Sequence, residues 1–296
     1  MAFDPADISR RIRALGKEIA PQSIEGTAAI YAPFQEVEPY RGVTVSRDLK
    51  YGADERHRLD VFRAQSTASA PAPVILFIHG GGFVGGDKRN PGSPYNDNVA
   101  LWAVRHGLIG VNMTYRFAPQ YPWPAGTQDV AAAVAWVREN IGRHGGDPRR
   151  IILLGTSAGA AHAASYVAHP QLQPADGPGI AGAVLLSGIY DLTASEPNPF
   201  QVAYYGADME GYRRASMVDG LVASDVPLFF VLTEMDPPIF HQQTLKLLQQ
   251  WMARHGEWPY FMHMTAHNHL SSTMHMNSPD GSLGERILDF IASRCR

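Results

Sequence analysis

A serine lies between two glycines directly after an apolar segment of the chain. Ile151–Leu154 is followed by Gly155-Thr156-Ser157-Ala158-Gly159 and then by alanine-rich residues up to Ala168. This order predicts a strand, a tight turn and a helix, which is the context that a nucleophile elbow requires. Side chains larger than glycine at positions 155 and 159 would collide with the neighbouring strand and helix. The pattern therefore favours Ser157 as the nucleophile of a serine hydrolase.

A second glycine-rich segment follows the apolar strand predicted over Val74–Ile78. The run His79-Gly80-Gly81-Gly82-Phe83 contains three successive glycines, each of which costs backbone entropy on folding. They are explained if bare N–H groups must approach a reacting oxygen, such as the oxyanion of a tetrahedral intermediate of acyl transfer. We predict that the backbone N–H groups of Gly81, Gly82 and Ala158 form an oxyanion hole.

The two motifs together resemble those of the α/β-hydrolase fold. Within that fold they are similar to the hormone-sensitive-lipase-like and the feruloyl-esterase/arylformamidase-like carboxylesterases. The resemblance extends from about Tyr51 to the C-terminus. It includes a segment between the two motifs, formed by Tyr115-Arg116-Phe117-Ala118-Pro119, Tyr121-Pro122-Trp123-Pro124-Ala125 and Asp129-Val130. The resemblance implies that an acid and a histidine follow the serine in the chain, each on a loop after a late strand.

Two carboxylates compete for the role of the acid, because Glu234 and Asp236 both follow the strand predicted over Leu228–Leu232. Esterases of the families that this chain resembles commonly place their acid directly before a proline. Since Pro237 follows Asp236, the resemblance favours Asp236. The alternative is that either carboxylate caps the helix that comes next.

Two histidines follow the last predicted strand, and both are candidates for the base. The related esterases place an apolar or aromatic residue directly after the catalytic histidine, which favours His269, followed by Leu270, over His267. We expect His267 to be a pocket or hydrogen-bonding residue. His79 is a third candidate, but we expect its ring to pack under the glycine loop and hold it through hydrogen bonds.

Short apolar segments alternate with helical patterns along the chain, which favours an α/β fold with a mostly parallel, doubly wound sheet and a small antiparallel start. Strands are predicted over Val43–Leu49, Leu59–Arg63, Val74–Ile78, Leu108–Met113, Ile151–Leu154, Ala183–Leu186, Leu228–Leu232 and Tyr260–Met264. Helices are predicted over Asp4–Ala20, Asn96–His106, Thr127–His144, Ala158–His169, Phe240–His255 and Leu283–Arg294. We expect a single domain over residues 1–296, with a cap segment at 1–40 and a short helical insertion at 193–225.

Aromatic residues are frequent in the segments that we expect to line the substrate cleft. We predict that Phe83, Tyr204, Tyr205 and His267 belong to the substrate pocket. Each aromatic residue, taken by itself, is more simply explained as part of the core. Since the insertion is too short to cover a deep tunnel, the sequence predicts small or aromatic uncharged esters as substrates.

The composition limits the classes of partner. A formal net charge of -3 over 296 residues gives no electrostatic reason to expect binding to nucleic acid or to an anionic membrane. We recognise no signal peptide and no stretch long enough for a transmembrane helix, so a cytoplasmic enzyme is expected. The single cysteine excludes an intramolecular disulfide. No cysteine or acidic cluster accompanies the late histidines, so we predict neither a metal nor another cofactor.

The sequence therefore predicts a serine carboxylic-ester hydrolase, or carboxylesterase, that works through an acyl-enzyme on a small-molecule ester. A homodimer is a candidate assembly. Two alternatives remain. The first is an arylformamidase-like hydrolase of amides or formamides. The second is a non-catalytic ligand-binding protein on the same fold, since function depends on sites rather than on folds.

Overall fold

A sheet of eight strands runs through the computed structural model, which describes residues 2–66, 70–194 and 196–295. The strands are β1 (Val43–Lys50), β2 (Arg58–Ala64), β3 (Ala72–Ile78), β4 (Ile109–Met113), β5 (Gly146–Thr156), β6 (Gly182–Leu186), β7 (Leu228–Met235) and β8 (Tyr260–Asn268). They lie in the order β1-β2-β4-β3-β5-β6-β7-β8. The pairs β1–β2 and β2–β4 are antiparallel, and the pairs from β4 to β8 are parallel. The predicted sheet is therefore confirmed, and each predicted strand corresponds to one of the eight.

Helices cover both faces of this sheet. Within the described residues they are α1 (Pro5–Ala14), α2 (Pro21–Tyr31), α3 (Asp97–Arg105), α4 (Ala125–Asn140), α5 (Ala158–Ala168), α6 (Pro199–Tyr205), α7 (Met209–Ala215), α8 (Val218–Ala223), α9 (Pro238–His255), α10 (Ser271–Met274) and α11 (Ser282–Arg294). The insertion expected at 193–225 contains α6, α7 and α8, while Ser195 lies outside the described residues. No helix in the described ranges combines the length and the apolar character needed to cross a bilayer.

The core is divided between the two faces because successive side chains of a strand point in opposite directions. Leu76 and Ile78 of β3 pack in a cluster with residues of α4 and α5. Ile75 and Phe77 of the same strand pack in another cluster, with residues of α3 and α11. A parallel sheet buried on both faces reads as continuous apolar segments, which is why its strands could be recognised in the sequence. Because β3, β5, β6, β7 and β8 run parallel to one another, their carboxyl ends lie along one edge of the sheet.

The N-terminal segment differs from the single helix predicted over Asp4–Ala20. Helix α1 ends at Ala14, because Gly16 follows with a φ of +74° and terminates the helix in the left-handed conformation. A second helix, α2, begins at Pro21. In one apolar cluster, Ile12 of α1 and Tyr31 of α2 pack with Met235, which directly precedes Asp236.

The end of β8 also differs from the prediction. The strand continues to Asn268, so His267 lies in the strand and not in a loop after it. The pairing of β7 with β8 shifts register between Thr233 and Met235, and Ala266 has a φ of +61°. These features are those of a β-bulge, which lets a strand continue with its side chains redirected.

Candidate active site

Ser157 occupies the sharp turn between β5 and α5. Its φ of 54° and ψ of -118° are unusual for a residue with a side chain, and such strain is typical of a nucleophile elbow. A methyl group on Gly155 would overlap the backbone of α5, and one on Gly159 would overlap the Ile78 carbonyl group of β3. The prediction that both ends of this turn must be glycine is therefore confirmed.

The structure brings His269 and Asp236 together. The Nδ1 atom of His269 lies 2.6 Å from Oδ1 of Asp236. Since an ionised carboxylate only accepts hydrogen bonds, Nδ1 carries the proton and Nε2 presents the lone pair that a general base needs. Neither residue is more than 6% exposed.

Asp236 is held on its other side by hydrogen bonds. Its Oδ2 atom accepts from the hydroxyl of Ser187 at 2.6 Å and from the backbone N–H of Thr233 at 2.7 Å. Burial by itself would raise the pKa of Asp236, but the hydrogen bonds from His269, Ser187 and Thr233 together hold that pKa below its usual value. The carboxylate is therefore ionised at neutral pH and can stabilise an imidazolium at His269.

Backbone pairing connects this acid to the elbow. The N–H of Ser157 donates to the carbonyl of Leu186 at 2.9 Å, and the next residue is Ser187, the partner of Asp236. Because β5, β6 and β7 are neighbours in the sheet, Ser157, Ser187 and Asp236 follow three adjacent strand ends. Ser157, Asp236 and His269 thus belong to the same edge of the sheet.

Glu234, the competing carboxylate, lies in a different environment. Its Oε2 atom accepts from the Arg13 guanidinium at 3.0 Å and from the backbone N–H of Ala266 at 2.5 Å. These hydrogen bonds lower the pKa of Glu234. The carboxylate joins α1 to β8, and its hydrogen bonds in the described chain do not involve a histidine.

His267 is also engaged away from the elbow. Its Nδ1 atom lies 3.0 Å from the Ser271 hydroxyl, and its Nε2 atom lies 3.3 Å from Oδ2 of Asp280. Both ring nitrogens are therefore occupied. This ring packs against that of His275 with 4.8 Å between the ring centres, and within the described chain it makes no aromatic contact with Phe83, Tyr204 or Tyr205, the other residues predicted for the pocket.

The glycine loop approaches the elbow closely. A methyl group on Gly80 would lie 3.3 Å from Cβ of Ser157. Gly81 and Gly82 have φ values of 129° and 61°, a region that favours glycine. Among the hydrogen bonds of the described chain, none uses the N–H of Gly81 or Gly82 as its donor. Ala158 is the first residue of α5, so its N–H is among those without an acceptor inside the helix.

His79 supports this loop from below, as the sequence predicted. Its Nδ1 donates to the Gly80 carbonyl at 2.6 Å, and its ring stacks on Tyr115 with 4.4 Å between the ring centres. The Tyr115 hydroxyl donates to the carbonyl of His79 at 3.0 Å. Burial lowers the pKa of His79 to about 4, so its ring is neutral at pH 7.

Three of the predicted pocket residues form one buried aromatic group behind the loop. The rings of Phe83 and Tyr204 are stacked with 4.6 Å between their centres, and Tyr205 meets Phe83 edge-on at 5.4 Å. All three belong to the main apolar core. Phe200 of α6, in contrast, is 53% exposed, and its ring atoms lie 3.2 Å and 3.3 Å from the position of a methyl group on Gly82. Phe200 thus lies beside the glycine loop on the side of the insertion.

Sequence reasoning missed two residues that contact the acid–base pair. Ser187 donates to Asp236, and the ring of Phe240 lies 4.6 Å from that of His269. The available signal for Ser187 was its position directly after the predicted strand Ala183–Leu186, next to the strand that carries Ser157.

Comparison with known proteins agrees with the fold. A model of the protein family described as alpha/beta hydrolase fold matches residues 75–237. The chain is 32% identical over 227 residues to the probable carboxylic ester hydrolase LipM of Mycobacterium tuberculosis, covering 70% of this chain and 51% of LipM. It is 35% identical over 211 residues to the esterase LipQ of the same organism, covering 65% of this chain and 49% of LipQ. The chain thus spans about half the length of these curated relatives.

A solved structure gives a longer match at lower identity. Esterase B from Lactobacillus rhamnosis, crystallised in a C6-C4 SN3 inhibited form, superposes with a TM-score of 0.73 at 18% identity. The match covers 97% of this chain and 96% of that enzyme. At this identity the likeness establishes a common fold.

Proposed function

This chain belongs to the α/β-hydrolase fold family, and we propose that it is a serine carboxylic-ester hydrolase acting on small or aromatic uncharged esters. The observation that carries this proposal is the hydrogen bond between His269 and the buried Asp236, on the sheet edge where the strained Ser157 turn lies. The names of LipM and LipQ, a carboxylic ester hydrolase and an esterase, agree with it.

In the proposed reaction, His269 Nε2 removes the proton from the Ser157 hydroxyl while Oγ attacks the carbonyl carbon of the ester. The resulting tetrahedral intermediate collapses, the C–O bond to the alcohol breaks, and His269 returns the proton to the leaving oxygen. Water then attacks the acyl-enzyme in the same way and releases the acid. Asp236 orients the imidazole and stabilises its positive charge throughout.

The backbone N–H groups of Gly81, Gly82 and Ala158 are proposed to donate to the oxyanion. Loss of a single donor of this kind typically costs roughly 3–4 kcal/mol of transition-state stabilisation. The two glycine amides support this role because they are without an acceptor in the described chain. The positive end of α5 adds to the same field.

The proposed cleft lies between the segments 1–40 and 193–225 of the single domain. Phe200 against Gly82 supports a wall on the insertion side, and Tyr31 packing with Met235 supports one on the N-terminal side. An exposed aromatic ring so close to the oxyanion loop favours short acyl groups or flat aromatic ones.

A substrate series tests this proposal. We expect p-nitrophenyl acetate and butyrate to be hydrolysed much faster than the palmitate ester, and faster than an N-formyl aromatic amine. A fluorophosphonate should label the wild type once, at Ser157, and should leave Ser157→Ala unlabelled. Preference for the formamide would favour the arylformamidase alternative, and absence of label from a folded wild type would favour a binding protein.

We also propose a cytoplasmic location, a small ester as the partner in place of nucleic acid or membrane, and a homodimeric assembly. The net charge of -3 supports the choice of partner. Cell fractionation and light scattering of the purified protein would test the location and the assembly.

A further inference from the structure

Arg56, in the turn between β1 and β2, contacts the end of the glycine loop that follows β3. Its Nε atom donates to the Tyr115 carbonyl at 3.0 Å, and its two terminal nitrogens lie 3.1 Å from the Gly86 carbonyl oxygen and 3.1 Å from Oδ2 of Asp87. The guanidinium carbon lies 3.9 Å from the ring centre of Phe117. One side chain therefore connects the loop after β3 with the segment after β4.

The turn that carries Arg56 is itself anchored. The buried carboxylate of Asp129 lies 3.0 Å from Nε2 of His57, the next residue in the turn. The same carboxylate accepts from the backbone N–H and from the guanidinium of Arg116, at 2.7 Å and 2.9 Å. Arg56 thus extends from a fixed base that does not depend on the glycine loop.

Gly86, one of the two residues whose carbonyls Arg56 holds, lies against the backbone of the proposed oxyanion hole. A methyl group on Gly86 would overlap the Gly80 carbonyl oxygen, and one on Gly81 would overlap that of Gly85. The N–H of Gly85 donates to the Gly81 carbonyl at 3.1 Å. A shift of the Gly86 carbonyl would therefore displace the backbone that carries the N–H groups.

We propose that Arg56 is a positioning residue for the oxyanion hole. By donating hydrogen bonds to both the Gly86 and the Tyr115 carbonyls, its guanidinium fixes the direction of the Gly81 and Gly82 N–H groups. The inference rests on the proposed function. Arginine suits this task because its donors lie in a rigid plane, whereas a lysine presents one compact charge and cannot hold both carbonyls in the same geometry.

The experiment compares Arg56→Met with Arg58→Met in p-nitrophenyl acetate hydrolysis. Methionine retains an unbranched stem near Phe117 but removes every donor. Displaced oxyanion donors weaken the transition state more than the bound substrate, so kcat of Arg56→Met should fall by about tenfold to a hundredfold with KM within about twofold. Arg58 is the matched control, because its guanidinium contacts the carbonyls of Asp54 and His57 in its own turn. Its variant should keep kcat within about twofold of the wild type.

A second measurement separates this inference from the proposed function. Amide hydrogen exchange over residues 79–87 should be about tenfold faster in Arg56→Met than in the wild type, and unchanged in Arg58→Met. This readout does not require any esterase activity. Arg56→Lys should show an intermediate loss of kcat, and it replaces Arg56→Met if that variant fails to fold. The proposal would be overturned if the Arg56 variants kept the wild-type exchange rate in this loop and a kcat within twofold of the wild type. It would also be overturned if Arg58→Met lost as much kcat as Arg56→Met.

Discussion

Two serine–histidine–aspartate arrangements lie near the end of β8, and they share residue types but not environments. In one, Asp236 is hydrogen-bonded to His269 at 2.6 Å, on the edge that carries the elbow. In the other, Asp280 lies 3.3 Å from His267, whose second nitrogen lies 3.0 Å from the Ser271 hydroxyl. Both arrangements thus place an aspartate beside a histidine, but in the described chain only the second has a serine hydroxyl hydrogen-bonded to the ring of that histidine.

The two serines explain why only the first arrangement is a candidate for catalysis. Ser271 is fully buried in α10, and its Oγ atom also accepts from the backbone N–H of Asn268 at 2.9 Å. Ser157 is partly exposed on a strained turn next to the glycine loop. A nucleophile needs access to substrate and preorganised donors for the oxyanion. A serine, a histidine and an aspartate that lie next to one another provide neither by themselves.

The largest difference between the two arrangements should appear when each serine is replaced. Ser157→Ala should lower kcat for p-nitrophenyl acetate by roughly 10⁴-fold or more, because it removes the proposed nucleophile. Ser271→Ala should retain kcat within about tenfold, since its hydroxyl only joins neighbouring groups. Steady-state kinetics with thermal melts of both variants would measure this. A tenth of wild-type activity in a folded Ser157→Ala would refute the serine mechanism.

The histidines should differ in the same direction. His269→Ala should be nearly as inactive as Ser157→Ala, because a nucleophile and its base act as one unit and their losses do not add. His267→Ala should keep at least about a tenth of the activity and lose about 1–3 kcal/mol of stability from its broken buried hydrogen bonds. Steady-state kinetics of the two variants and of the Ser157/His269 double variant would show which histidine is the base. The reverse ranking would move the proposed base by two residues.

Much of the fold could be predicted because its signals are local. Val74–Ile78 and Ile151–Leu154 are continuous apolar segments since both faces of a parallel sheet are buried. The glycines around Ser157 are required by close backbone contacts, and this requirement is visible in the sequence as a short motif. The early end of α1 was missed although Gly16 was visible, because the apolar pattern continues beyond it.

The contacts that distinguish equivalent candidates are distant in sequence and could not be predicted from local patterns. Glu234 is tied by Arg13, which lies 221 positions earlier in the chain. The hydroxyl of Ser187 reaches Asp236 only because β6 and β7 are neighbours in the sheet. Such pairings depend on the order of strands, which a single motif does not contain.

A smaller effect is expected from the serines that support each aspartate. Ser187→Ala removes a 2.6 Å hydrogen bond to Asp236, so the imidazole of His269 should be oriented less well and kcat should fall by about tenfold with little change in KM. Ser282→Ala is the matched control at Asp280, because the Ser282 side chain hydrogen-bonds to that carboxylate. That variant should stay within about twofold of wild-type kcat. Equal kcat for both variants would show that the Ser187 hydroxyl has no part in orienting the pair.

The smallest effect concerns the pH dependence of stability at the second arrangement. Burial would raise the pKa of Asp280, but hydrogen bonding from His267 and electrostatic interaction with the imidazoles of His275 and His267 outweigh burial and hold that pKa well below its usual value. A carboxyl group whose pKa is lowered by folding stabilises the protein above its unfolded pKa of about 3.9, and the contribution is lost as the pH falls through the folded pKa.

Asp280→Asn should therefore be less stable than the wild type by about 1–3 kcal/mol at pH 7, with the difference shrinking below about pH 4. Urea unfolding of both proteins between pH 7 and pH 3 measures it. A difference that stayed constant over this range would show that the Asp280 charge does not contribute to stability, and the second arrangement would then be held together by packing alone.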